Sequence, residues 1–400
     1  MDKKRSLLNV CVALGFKVIL LVLSILAKRF LINYIGNDAN GIFALYQSVI
    51  GVLAVADLGV GTAITFSMYS PIVNGEDDKV SALYGLFVKV YRVVGVIILA
   101  AGLCVMPALP YLANGYESDF SLYRTFLIML ASVVMNYMFS AKTSLVNAYK
   151  NDYVTTTILS LSLMAQYGAQ ILVTVLTHSF ELYLCCNVGG MAIQWALIEL
   201  YTHKKYPHIL KNKQKVDAET KREVVKNTKA MFMHKIGAIF VNTSDSIIIS
   251  AFMGPELLGL YSNYTTIVVS MSGILALCFT SLTSVIGHMS AGKDREEEKR
   301  GFNILYSFNF VLGIVFFLGY YAVIDDLVFL FFGEGLQLAK EIKVVITLNY
   351  FVQFMRQTVL VFRDATGTFY YDRFKPLAEG LLNIVLSVSF VLWFGITGVI

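Results

Sequence analysis

One stretch of this chain is written twice. Ile35-Gly36-Asn37-Asp38-Ala39-Asn40-Gly41-Ile42-Phe43-Ala44-Leu45-Tyr46 returns about 218 residues later as Met253-Gly254-Pro255-Glu256-Leu257-Leu258-Gly259-Leu260-Tyr261-Ser262-Asn263-Tyr264, with both glycines and the final tyrosine in register. Each copy lies within a string of long apolar segments. A repeat of this period makes two lobes of similar plan, and a duplicated bundle of membrane helices is the usual architecture of a secondary transporter.

Composition supports the bilayer as the solvent. Hydrophobic residues make up 57% of the 400 and charged residues 15%, against roughly a quarter charged in a soluble domain. The first apolar segment, residues 7–27, is too long for a signal-peptide core and lacks a small-residue cleavage site, so it reads as a retained helix. The cysteines (Cys11, Cys104, Cys185, Cys186, Cys278) fall in apolar segments without metal-ligand or paired spacing and read as small packing residues. No Walker loop, zinc-protease helix or Asx-rich metal loop is present. The expectation is a transporter without metal or cofactor, not an enzyme.

A spanning helix needs roughly 20 mostly apolar residues. About eleven segments qualify: 7–27, 41–68, 83–105, 122–140, 154–177, 182–201, 230–253, 258–286, 302–324, 342–361 and 376–394. The long basic loop 203–229, with nine Lys or Arg, divides an N-terminal lobe (1–202) from a C-terminal lobe (230–400). Six helices per repeat bring the second copy into the membrane in the same sense as the first, so the lobes are expected to be related by an axis along the membrane normal. The same offset predicts a twelfth helix beginning near residue 400, so a natural chain continuing beyond Ile400 is expected.

A cytoplasmic N-terminus puts the basic loop inside with Lys3, Lys4, Arg5, Lys79, Lys150, Lys293, Arg295, Lys299, Arg300, Arg373 and Lys375. The opposite loops carry Glu117, Asp119, Glu181, Glu256, Asp325 and Asp326. That is the positive-inside pattern. The formal net charge of +5 follows from this loop bias and argues for no nucleic-acid partner.

Charges within the apolar segments mark the candidate site. A Lys, Arg or Asp at a helix centre costs about 2.5 to 3.5 kcal/mol on insertion scales, so such residues face a bundle interior or a wet cavity. Lys17, Ser24 and Lys28 fall within about 20° of one stripe at 100° per residue. Lys235, Asn242 and Ser246 repeat that stripe, and Lys17 plus the offset is Lys235. Two equivalent lysines facing each other across the pseudo-twofold axis would bind an anion; the alternative is that each snorkels or pairs with a nearby acid. Arg356, in mid-helix, is hardest to explain by snorkelling. Lys28 and Arg29 sit on the outer side against the charge rule, which favours a cavity role for them as well. Two acids, Asp57 and Asp245, are candidates for binding a coupling proton or sodium ion, or for holding a helix contact. Glu379, three residues after Pro376, reads as an acid in a first helical turn.

Several motifs taken together are familiar. Tyr34-Ile35-Gly36 with Gly41, then Asp57-Leu58-Gly59-Val60, then Asp245-Ser246-Ile247-Ile248-Ile249-Ser250 followed by Met253-Gly254 and Gly259-Leu260-Tyr261-Ser262, resemble the polysaccharide-exporter family typified by O-antigen flippases. The resemblance covers the whole chain and implies an all-helical, two-lobed MATE-like fold of the multidrug/oligosaccharidyl-lipid/polysaccharide (MOP) superfamily. It further implies movement of polyprenyl-pyrophosphate-linked oligosaccharide across a bacterial cytoplasmic membrane. Glycosyltransferases and a polysaccharide polymerase are the partners it suggests. Family members handling such sugars are similar in carrying cavity-facing cations, here matched by Lys17, Lys28, Arg29, Lys235 and Arg356. The same superfamily contains peptidoglycan-precursor flippases and ion-coupled drug exporters. These stay open as alternatives, the exporters being expected to need acids where this chain has cations.

Overall fold

The computed structural model describes residues 3–400 except 58, 118, 212–215, 217–220, 223, 226–227, 229–242, 281, 292–294 and 367–373. In it the described chain is helical, joined by short turns. The N-terminal lobe comprises α1 (Lys3–Tyr34), α2 (Asn37–Leu53), α3 (Val60–Asn74), α4 (Asp77–Val105), α5 (Leu122–Ala148), α6 (Asp152–Thr177) and α7 (Phe180–Lys205). The C-terminal lobe comprises α8 (Thr243–Met253), α9 (Pro255–Thr280), α10 (Thr283–Ala291), α11 (Arg295–Phe332), α12 (Lys340–Thr366) and α13 (Lys375–Phe394). Short helical turns at Leu109–Leu112, Pro207–Lys211 and Ile396–Val399 complete it.

Among the described residues, seven helices are long and apolar enough to cross a membrane on their own. Their outward faces carry large apolar side chains such as Trp393, Leu392, Leu200 and Leu176, more than two-thirds exposed in the isolated chain. Surfaces like these require lipid around them.

Two expected spans prove to be broken helices. The segment 41–68 was expected as one helix, but α2 ends at Leu53, a tight turn runs through Ala54–Asp57, and α3 starts at Val60. Gly59 sits at φ 74°, a left-handed conformation open to glycine. The Tyr91 hydroxyl donates to Asp57 Oδ1 at 2.5 Å across the break. The segment 258–286 likewise divides into α9 and α10 around Leu282. Each lobe thus interrupts its second span, the kind of discontinuity that transporters use near their binding sites.

Helix ends follow local chemistry. Ser121 and Ser179 accept from the backbone N–H of Arg124 and Leu182, capping α5 and α7. The polar loop after α7 turns back onto its own lobe: Ser81 Oγ of α4 donates to the Ile209 carbonyl at 2.8 Å, and Ile209 is wholly buried. The segment 230–253 is described only from Thr243, as α8.

Candidate functional site

The duplicated segment is where the two lobes meet. At Gly41 of α2 a Cβ would lie 1.7 Å from the carbonyl oxygen of Pro255, and at Gly259 of α9 a Cβ would lie 2.3 Å from the carbonyl oxygen of Asn37. Gly41 and Gly259 are repeat equivalents, as are Asn37 and Pro255, so each lobe offers the same glycine to the same backbone position of the other. This reciprocity is the signature of a twofold contact. Asn37 Nδ2 donates to the Glu256 carbonyl at 2.8 Å, and the buried Asn40 amide donates to the Gly259 carbonyl and to Asn263 Oδ1, both at 3.1 Å.

The repeated tyrosines brace the crossing from within each lobe. Tyr46, wholly buried, donates to the Leu122 carbonyl at 2.8 Å and lies 2.9 Å from Thr125 Oγ1. Tyr264, also wholly buried, donates to Asp325 Oδ1 at 2.6 Å and accepts from the Leu338 N–H at 3.1 Å. Lys343 closes the C-terminal cluster by pairing with Asp325. Tyr46 therefore fixes α2 to the start of α5, and Tyr264 fixes α9 to the last turns of α11 and to the turn that leads into α12.

Two of the sequence-flagged cations lie beside this crossing. Lys28 reaches from α1 into the other lobe, donating to Ser262 O at 2.9 Å, Ser262 Oγ at 2.8 Å and Thr266 Oγ1 at 2.9 Å, with its ammonium 5.3 Å from the Phe332 ring centre. Arg29 Nη1 donates to the Leu330 carbonyl at 2.8 Å. Every one of these acceptors is neutral and belongs to the C-terminal lobe.

The other flagged residues are dispersed. Lys17 stands exposed on α1, 11 positions before Lys28 in the sequence, with no hydrogen bond or ion pair among the described residues. Ser24 donates back to the Leu21 carbonyl of its own helix. Lys235 and Asn242 lie outside the described residues. Arg356 of α12 pairs with Glu379 of α13 at 3.2 Å, both side chains part-exposed, and Lys375 approaches the same carboxylate at 3.8 Å. Asp57 is held at the α2–α3 break by Tyr91. Asp245 of α8 interacts with Asn383 of α13 and Ser244, while its Oδ1 is buried without a hydrogen-bond partner among the described residues.

Some of this escapes a reading of charges alone. Asn40 and Asn263 are neutral and lie inside the repeated segments, so the duplication itself was the signal that pointed to them. A second polar group, Gln166, Gln170 and Asn187, lies buried between α6 and α7, with Gln166 Nε2 donating to Asn187 Oδ1 at 2.5 Å and Gln170 Nε2 at 3.1 Å. Spaced four apart, the two glutamines form a stripe visible in the sequence once helix geometry is applied.

The same architecture occurs in solved structures. An inward-facing multidrug resistance MATE family transporter of the MOP superfamily matches with a TM-score of 0.70 over 97% of this chain and 92% of its own, at 13% identity. The lipid II flippase MurJ, in an inward closed conformation, matches with a TM-score of 0.68 over 97% of this chain and 82% of its own, at 16% identity. The Vibrio cholerae MATE transporter VcmN in its bent form reaches 0.55 over 98% and 92%, at 13% identity. No family model matches the chain, and neither does any curated protein. Among the described residues the fold is all-helical, and it is MATE-like.

Proposed function

We propose that this chain is a flippase that moves polyprenyl-pyrophosphate-linked oligosaccharide repeat units across a bacterial cytoplasmic membrane for surface polysaccharide synthesis. The two lobes rock so that their crossing closes one end of a cationic cleft and parts to open it, exposing the cleft to each side in turn. Sugars and pyrophosphate pass through the cleft while the polyprenyl tail stays in lipid. The observation that carries the reading is the unneutralised charge on α1: among the described residues Lys17, Lys28 and Arg29 form no ion pair with any carboxylate. Cations so placed in an apolar helix suit a multiply charged anionic headgroup, to which they give charge-assisted hydrogen bonds. Support also comes from the motifs that resemble O-antigen flippases and from a fold shared with a lipid II flippase. With the N-terminus cytoplasmic, an inside-negative potential favours outward movement of the anion by about 2.3 kcal/mol per charge per 100 mV. Glycosyltransferases that build the repeat unit and a polymerase that consumes it are the partners such a reaction requires.

A second reading rests on Asp245. A carboxylate set beside Asn383 and Ser244 with one oxygen unpartnered suits an ion-coupled exporter of small molecules, using a proton or sodium ion. Asp57, donated to by Tyr91, would serve as the N-terminal counterpart. Complementation separates the readings. In cells lacking their own repeat-unit flippase, this protein and its Asp245→Asn variant should both restore surface polysaccharide within about threefold. Restored drug resistance that disappears in Asp245→Asn, with no restoration of polysaccharide, would replace the flippase with the exporter.

A further inference from the structure

The cations flagged as substrate ligands are engaged in this conformation, and by atoms that compete poorly for them. Lys28 and Arg29 occupy consecutive positions at the end of α1. They cross the lobe boundary to different helices, Lys28 to α9 and Arg29 to the end of α11. Lys28 is part-buried, and its ammonium packs near the Phe332 ring. Its three acceptors, like that of Arg29, are hydroxyl or carbonyl oxygens.

The Lys28 contact lacks a symmetry mate. Lys28 plus the repeat offset is Ser246, so the donors come from the N-terminal lobe alone and the acceptors from the C-terminal lobe alone. Contacts of this kind add to the symmetric glycine crossing and hold the same end shut. Asn33 Oδ1 lies 3.4 Å from the Cβ position of Gly333 there, and Asn114 Nδ2 lies 3.9 Å from that of Gly254.

We infer that Lys28 and Arg29 form an exchangeable latch: they hold one end of the cleft closed by donating to neutral oxygens of the other lobe, and an anionic phosphate group opens that end by taking them over. Deepening the anionic-substrate reading above, this gives the two residues a second role. A ligand shifts a two-state equilibrium only by its difference in affinity between the states. Here the difference is built in, because the donors are occupied when the end is closed and free when it is open. A phosphate oxygen forms a shorter and stronger bond with an ammonium or guanidinium than a carbonyl or hydroxyl does. The anion therefore binds the open form preferentially and is carried to the side on which that end opens. Once it leaves, the cations return to Ser262, Thr266 and Leu330 and reset the lobes.

The test is a distance measurement between spin labels at Glu117 and Gln337, exposed positions in loops of the two lobes near this end, in a cysteine-free background and zwitterionic nanodiscs. Wild type without ligand should give one short distance, and polyprenyl pyrophosphate in the disc should add a longer one. Lys28→Gln/Arg29→Gln should populate the longer distance several-fold more without ligand and stop responding to the lipid, while eluting as a monodisperse folded species. Free pyrophosphate and phosphatidylglycerol, added separately, distinguish the lipid-linked headgroup from phosphate in general. An unchanged short distance in the folded double variant would overturn the latch whatever the substrate is. An open double variant with a wild type unmoved by every phosphate source would overturn the exchange, and with it the anionic-substrate reading, leaving the closure by Lys28 and Arg29 intact.

Discussion

Asn40 donates to Asn263 across the lobe boundary at 3.1 Å, and both side chains are wholly buried. The contact sits one residue from Gly41 and four from Gly259, the pair whose missing Cβ atoms let the two backbones touch. A buried amide pair at such an approach incurs the desolvation penalty of its unpaired polar atoms if the lobes are held slightly apart, so the contact is either fully made or given up.

The first prediction concerns that approach. Gly41→Leu places a side chain where even a Cβ would lie 1.7 Å from Pro255 O. The crossing must separate, while each lobe keeps its own core. Reaction of Asn263→Cys with a membrane-impermeant thiol reagent should quicken at least tenfold in the Gly41→Leu background, with thermal stability changed by less than a few degrees. Equal reaction rates would show that the crossing tolerates the bulk and is not the closure point.

The repeated tyrosines should differ in cost. Tyr46→Phe removes the donor to a carbonyl and a hydroxyl partner of Thr125, while Tyr264→Phe removes the donor to the carboxylate of Asp325 and leaves the Leu338 N–H unmatched. Losing the hydrogen bond of a buried group costs about 1 to 3 kcal/mol, more where a charge is involved. Thermal unfolding in detergent should therefore show a larger drop in Tm for Tyr264→Phe than for Tyr46→Phe. The reverse order would mean that Lys343 alone satisfies Asp325.

Arg356 and Glu379 pair at 3.2 Å with side chains 41% and 34% exposed. At that exposure the pair contributes roughly 0 to 1 kcal/mol to stability. A double-mutant cycle on unfolding should give a coupling within that range, while Arg356→Ala should slow transport at least tenfold and Glu379→Gln by less than threefold. Equal transport losses for both, restored in the double variant, would reduce Arg356 to a structural ion pair.

The architecture could be read from the chain because its constraints recur along it. Eleven apolar segments outline the spans, and a twofold contact needs the same pair of glycines and the same tyrosine on both sides, so it leaves a visible duplication. The breaks inside two spans were hidden, because hydropathy records burial in lipid and Ala54 to Gly61 stays apolar apart from Asp57. What breaks the helix is the left-handed φ of Gly59 and the Tyr91 hydroxyl, neither of which alters hydropathy. Lys28 and Arg29 stand out in the sequence because they lie in the wrong place for their charge. Their partners do not, since carbonyls and hydroxyls of Ser262, Thr266 and Leu330 carry no charge to match. Glu379 was passed over as a first-turn acid, 23 residues from the arginine it meets across two helices.

The measurement that bears most directly on the whole account is translocation of lipid-linked oligosaccharide in proteoliposomes with Asn40→Cys/Asn263→Cys bridged by a short reducible crosslinker. Fluorescent repeat units should cross when the bridge is absent or reduced, and fall to the protein-free rate when it is intact. Translocation at full rate with the bridge intact would refute alternating access through this crossing. No translocation in either state, by protein proven folded, would refute the flippase.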